Sequence, residues 1–226
     1  MPTADSQFAH FNEWLCKTNF SFLQGASHPV DLVTRANQLD YGSLCINDFD
    51  GVYGLARCYR ELDYLKKQQQ QRGLKLNYGA EIHFQRDHDL PLLLQDTLVL
   101  VAQNQAGYYN LNRLLSYAHR EGKDYATLPL PYLLGSCVDG LLAIQPMRGS
   151  LRSRETGPAC AELKQLFEGR YYLAISRHLH PAEDRWIKPV LQLAKQHQLE
   201  YLLSQDVFFH QRSQKCVSDL LQAIRS

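Results

Sequence analysis

Three carboxylates, Asp48, Glu81 and Asp206, and two histidines, His178 and His210, stand late in, or shortly after, separate apolar segments of the sequence. Brought to one face, carboxylate oxygens and imidazole nitrogens form a donor set for divalent cations, which would activate water and hold a phosphate. Taken singly, each residue has a plainer role. An Asp, Asn or Ser between a strand and a helix commonly caps the helix, and a histidine in "SRHLH" commonly serves a loop or a core. From spacing alone the metal signal is weak, so it depends on the elements that would carry these side chains.

Those elements alternate. "HFNEWLCKT" reads as a short strand, and "PVDLVTRANQLD" follows as a helix, with Pro29 at its start and Val30, Val33 and Ala36 at helical spacing. "YGSLCIND" is the next strand, ending in Asn47 and Asp48, and "VYGLARCYRELDYLKKQQQQ" is a long helix that becomes polar toward its end. "LKLNYGAEIHF" and "TLVLVAQN" read as strands, followed by a helix over "AGYYNLNRLLSYAHREG". Residues 123–136 and 146–158, rich in Pro, Gly and Ser, read as long loops. Three further strands, "GLLAIQP", "RYYLAIS" and "LEYLLSQD", alternate with helices over "PACAELKQLFEG", "PAEDRWIKPVLQLAKQHQ" and "RSQKCVSDLLQAIRS".

Repeated strand–helix units of this kind point to a parallel sheet, barrel-like or doubly wound. Polar residues just past strand carboxyl ends then converge on one face. Besides the carboxylates, these are Lys17, Thr18 and Asn19 after the first strand, His178 and His180 after the sixth, and Gln205 and His210 around the last.

The 226 residues suffice for one domain with a sizeable core, and 1–226 is read as a single domain. Lys+Arg 24 against Asp+Glu 23 leaves no basic footprint for nucleic acid over the whole chain. The six cysteines form no Cys-x-x-Cys pair, so no zinc ribbon or redox motif is readable. With neither a signal peptide nor an apolar run long enough for a bilayer, the expected setting is the cytoplasm, with reduced thiols and no membrane.

The stretch "NFSFLQGASHPVDLVTRANQLDYGSLCINDFDGVYGLARCYREL" resembles the opening of the polymerase-and-histidinol-phosphatase (PHP) domain of the bacterial DNA polymerase III alpha subunit family. "NFSFLQGASHP" is most similar to the error-prone homologue of that subunit. The resemblance continues through "YGAEI", "TLVLVAQNQAGYYNLNRLLSYAHREG" and "QDVFFHQRSQKCVSDLLQAIR", covering nearly the whole chain. It implies an α/β fold, a distorted (βα)7 barrel of the PHP type, and in active members a cluster of up to three metal ions held by His, Asp, Glu and Cys.

Carried over residue by residue, the resemblance implies a depleted site. The opening His-x-His falls on Leu15 and Lys17, Asp-His on Asp48 and Phe49, the glutamate on Glu81, and a histidine on Thr97. A cysteine falls near Met147, a histidine on His178, and the closing Asp-x-His on Asp206 and Phe208, with His210 two places beyond as an alternative ligand. Asp48, Glu81, His178 and Asp206 are thus vestigial ligand candidates, while Leu and Phe cannot coordinate and Lys17 brings a charge of its own. Crowded carboxylates need a counter-charge, which Lys17 would supply, so no cofactor is expected.

The expected function is a structural or interaction module, the N-terminal domain of a longer error-prone polymerase or a free-standing relative. Its expected partners are the polymerase region or replication and repair proteins, with DNA met only indirectly. Surface tyrosines in "GRYYLAISRH" offer little for direct strand binding. The alternative is a phosphoesterase or 3′–5′ exonuclease dependent on zinc or manganese and using the remaining ligands.

Overall fold

The computed structural model describes residues 10–84, 97–121, 126–148, 156–178, 181 and 183–225. It begins with β1 (Asn12–Cys16), α1 (Pro29–Gln38), β2 (Ser43–Ile46), α2 (Leu55–Lys67), β3 (Lys75–His83) and β4 (Thr97–Ala102). There follow α3 (Gln105–Glu121), α4 (Leu130–Leu134), β5 (Leu141–Pro146), α5 (Thr156–Leu166), β6 (Tyr171–Ser176), α6 (Asp184–Gln196), β7 (Glu200–Ser204) and α7 (Lys215–Arg225).

Seven strands lie in one sheet in sequential order from β1 to β7. Pairing is parallel at β1–β2, β2–β3, β5–β6 and β6–β7, and antiparallel on both sides of β4. The expected parallel sheet therefore fails at one strand. The sequence shows no helical pattern between β3 and β4, and parallel neighbours need a long crossover that a reversing strand does not.

The expected loop over 123–136 also holds a helix. In α4, Pro129 and Pro131 occupy the start, where an amide hydrogen would have no helical acceptor, and Leu130 and Leu133 are buried. In the second expected loop, α5 begins at Thr156, while residues 149–155 lie outside the described residues, as does His180.

Side-chain parity sorts the core into layers. Leu15, Cys45, Val99, Val101, Ile144 and Ala174 form a cluster made only of strand residues, which is the barrel interior. Their strand neighbours Cys16, Leu44 and Ile46 point the other way and pack with Leu32 and Val33 of α1 and Cys58, Leu62 and Leu65 of α2. Ile82, Leu98 and Leu100 likewise pack outward on Leu111 and Leu114 of α3.

β1 and the segment after β7 bring the sheet nearly to closure. Lys17 N–H donates to Val207 O (2.9 Å), and Val207 N–H donates to Leu15 O (2.7 Å). Glu13 latches the same seam. It accepts from Leu15 N–H and Gln205 N–H, both at 2.9 Å, and from the Ser204 hydroxyl. Among the described residues no helix is long and apolar enough to cross a membrane.

Candidate functional site

Lys17 shares the inward parity of Leu15, and Glu81 lies inward between outward-packed Ala80 and Ile82. Their side chains meet where the first three strands end, and neither is exposed to solvent. Lys17 Nζ lies 2.7 Å from Glu81 Oε2 and donates to Asn47 Oδ1 at 2.5 Å. The ring centroid of Phe49 is 5.0 Å from the same nitrogen, on the face that attracts a cation. Asn47 is itself fixed, its Nδ2 donating to Trp14 O at 2.6 Å.

A second cation enters from β5. Arg148 Nη1 donates to Glu81 Oε1 (2.5 Å) and Nη2 to Glu81 Oε2 (3.1 Å). The same guanidinium binds Asp206 in a fork, Nε to Oδ2 at 2.5 Å and Nη2 to Oδ1 at 2.7 Å. Thr97 Oγ1 also donates to Glu81 Oε1. Glu81 therefore receives four donated hydrogens, about as many as a carboxylate can accept. Two cations face two carboxylates in this network.

Burial pushes the Glu81 carboxyl upward, but Lys17 and Arg148 more than reverse that push and hold it well below the usual carboxylate range. Burial opposes the charge of Arg148, and Glu81 and Asp206 overcome it, raising its pKa.

Asp48 is fully buried but does another job. Its oxygens accept from Thr18 N–H (2.8 Å), Ser21 Oγ (2.8 Å), Gly54 N–H (2.9 Å) and the Thr18 hydroxyl. These bonds tie the turn of "NFSFLQG" to the start of α2. Glycine is required at Gly54, because a Cβ would come within 2.7 Å of Asp48 Oδ2. The Asp48 backbone lies beside Glu81, whose N–H donates to Asp48 O (3.0 Å).

His178 is exposed; its backbone N–H donates to Glu183 Oε1 at 2.7 Å, and its imidazole makes no hydrogen bond to Asp48, Glu81 or Asp206. His210 Nδ1 pairs with Ser27 Oγ at 2.7 Å, which fixes the opening turn to the segment after β7. Phe208 carries Arg148 on its ring at 5.9 Å, and Phe49 stacks on His83 with centroids 5.0 Å apart. His83 in turn pairs with Asp50 at 2.7 Å. Leu15 and Met147 are buried in apolar clusters. Among the described residues no three His, Cys, Asp or Glu side chains are grouped so as to hold a metal ion.

The structure thus joins Lys17, Glu81 and Asp206, seats Asp48 next to them with its own donors, and leaves His178 and His210 outside the ion-paired group. Arg148 is the residue that motif reading misses. Its signal is modest: it is the first charged residue past the carboxyl end of "GLLAIQP".

Barrels of this class are found among solved structures. A candidate metal-dependent phosphoesterase from Bifidobacterium adolescentis superposes with TM-score 0.57 at 16% identity, over 90% of this chain and 89% of that one. An amidohydrolase from Chromobacterium violaceum gives 0.51 at 13% identity, over 88% and 87%. The PHP domain family matches residues 15–178, and the chain belongs to that family.

Its sequence is 30% identical over 230 aligned residues to an error-prone DNA polymerase of Anaeromyxobacter sp. (strain K) and 29% identical over 216 to that of Pseudomonas paraeruginosa. These alignments take in 97% and 96% of this chain and 19% of each polymerase, so the chain spans about one fifth of the length of the curated relatives it matches.

Proposed function

We propose that this PHP-family chain is a structural and interaction domain of an error-prone DNA polymerase III alpha-type protein, with its metal centre replaced by protein cations. The reading treats residues 1–226 as one domain that works in the cytoplasm, docked on a polymerase region and serving replication or repair.

One observation carries it. Both oxygens of Glu81 are filled by Lys17, Arg148 and Thr97, and Asp206 is held by the same guanidinium. A cation could bind there only by displacing a fixed positive charge. Leu15, Phe49, Thr97 and Phe208 at the remaining inferred ligand positions supply no imidazole, so the residues present do not fit a metal cluster. In this reading Asp48, Glu81, His178 and Asp206 are vestigial ligands, Lys17 and Arg148 take over the cationic role, and His210 serves the opening turn.

Elemental analysis of dialysed protein, paired with phosphoester and DNA 3′-end cleavage assays, tests the proposal. We expect less than one equivalent of bound zinc, manganese or iron and no metal-dependent cleavage. Two or more equivalents with metal-dependent cleavage would establish the phosphoesterase or exonuclease alternative.

A further inference from the structure

A concave surface of about 770 Å³ lies outside the barrel, between α2 and α3, at the end of β3 away from Glu81. Its position follows from topology. α3 packs over the later half of β3, on Ala80 and Ile82, and leaves Leu76 and Tyr78 in the earlier half only partly buried, where they line the gap between the two helices. The volume falls within the range of small-molecule sites.

The lining has a definite chemistry. Val52, Leu55, Ala56, Leu76 and Ala102 give an apolar floor. Tyr59 and Tyr108 rise from it at 55% and 39% exposure, beside Tyr78. Gln103 and Gln105 add side-chain amides, and none of these amides or tyrosyl hydroxyls has a hydrogen-bond partner among the described residues. Arg60 is the one charged lining residue, exposed and without an ion pair among the described residues.

Exposed aromatic faces, unused donors and acceptors at the rim, and one unpaired cation with no lining carboxylate complement a ligand that is planar, polar at its edges and anionic. From this we infer that the α2–α3 groove is a nucleotide-binding site, in which a base stacks on Tyr59 or Tyr108, the amides of Gln103 and Gln105 meet its edge, and a phosphate pairs with Arg60. The same chemistry occurs in a free nucleotide and in a single-stranded oligonucleotide. The tyrosines concerned are not those of "GRYYLAISRH", where Tyr171 is buried in the core. The groove lies apart from the Glu81 network, so this inference stands or falls independently of the lost metal centre.

Binding of dAMP and of a short oligodeoxyadenylate to the full chain tests it, with variants Tyr59→Ala, Tyr108→Ala and Arg60→Gln checked for unchanged thermal unfolding. The variant that removes the stacking tyrosine, Tyr59→Ala or Tyr108→Ala, should weaken dAMP binding about tenfold, as expected for loss of one stacked base, and the other should leave it nearly unchanged. Arg60→Gln should lower the slope of log affinity against log salt for the oligonucleotide by about 0.7, the share of one phosphate on a single strand. Equal affinities for the two probes would identify a free-nucleotide site, and tighter binding of the oligonucleotide a strand site; both support the inference. It is overturned if neither probe binds, or if both folded tyrosine variants bind as the wild type does. It is also overturned if Tyr59→Ala instead abolishes self-association, which would assign the groove to a second copy.

Discussion

Glu81 at the barrel mouth and Glu13 at the β1–β7 seam are both buried carboxylates with several hydrogen-bond donors, yet their acidities move in opposite directions. Burial pushes both upward. At Glu13 the opposing partners are neutral, the Ser204 hydroxyl and two backbone N–H groups, and burial prevails with some help from the nearby Asp206 charge. At Glu81 the partners are Lys17 and Arg148, and their charges prevail. The barrel can therefore bury a carboxylate on neutral donors alone. The paired cations at the mouth are thus not a general requirement of the fold, and under the proposed function they take the place of a lost metal centre.

Substitutions sharpen or break this contrast. Glu81→Gln strands a fully buried lysine and one side of Arg148, and should cost about 3–5 kcal/mol in denaturant unfolding. Lys17→Met leaves Glu81 with Arg148 and should cost on the order of 1–4 kcal/mol, whereas a neutral result would remove Lys17 as counter-charge. Arg148→Met should cost less than Lys17→Met, because its side chain is 34% exposed and water can reach the carboxylates it leaves. At Glu13 the smallest effect is expected: Glu13→Gln keeps an acceptor for Leu15 N–H and the Ser204 hydroxyl but loses the one that takes Gln205 N–H, and, with no buried charge left unpaired, should cost about 1 kcal/mol near neutral pH.

The pH dependence separates the two sites by sign. The folded pKa of Glu81 is lowered, so its contribution is present above the unfolded carboxylate value, 4.5, and is lost as pH falls toward the depressed folded value. The folded pKa of Glu13 is raised, so its contribution is full below 4.5 and is lost as pH rises through the raised value. Unfolding followed across that range should show Glu81→Gln flattening the acid limb and Glu13→Gln flattening the decline on the other side. Identical profiles for the two variants would mean that partner charge does not set the difference.

Much of this was legible in the sequence. Short apolar runs with polar ends mark all seven strands, and Lys17, just past the end of the first, marks the positive charge that the structure pairs with Glu81. Arg148 was not legible, because its pairing with residues 67 and 58 positions away is set by barrel closure rather than by local pattern. The reversed direction of β4 escaped for a related reason, since strand periodicity carries no direction. Asp48 illustrates a third limit: its residue type suits a ligand, a cap or a loop anchor, and only the positions of Thr18, Ser21 and Gly54 select the anchor.

Zinc-dependent stability decides whether Lys17 and Arg148 have taken the place of metal cations, as proposed above. Unfolding would be compared with and without zinc for the wild type and for a variant carrying Lys17→His, Phe49→His, Arg148→Ala and Phe208→His. Zinc should leave the wild type unchanged and clearly stabilise the variant, by about 2.7 kcal/mol at a hundredfold excess over its dissociation constant. Equal stabilisation of the wild type would contradict the proposal, because the carboxylates would then be free to take a metal with both cations in place.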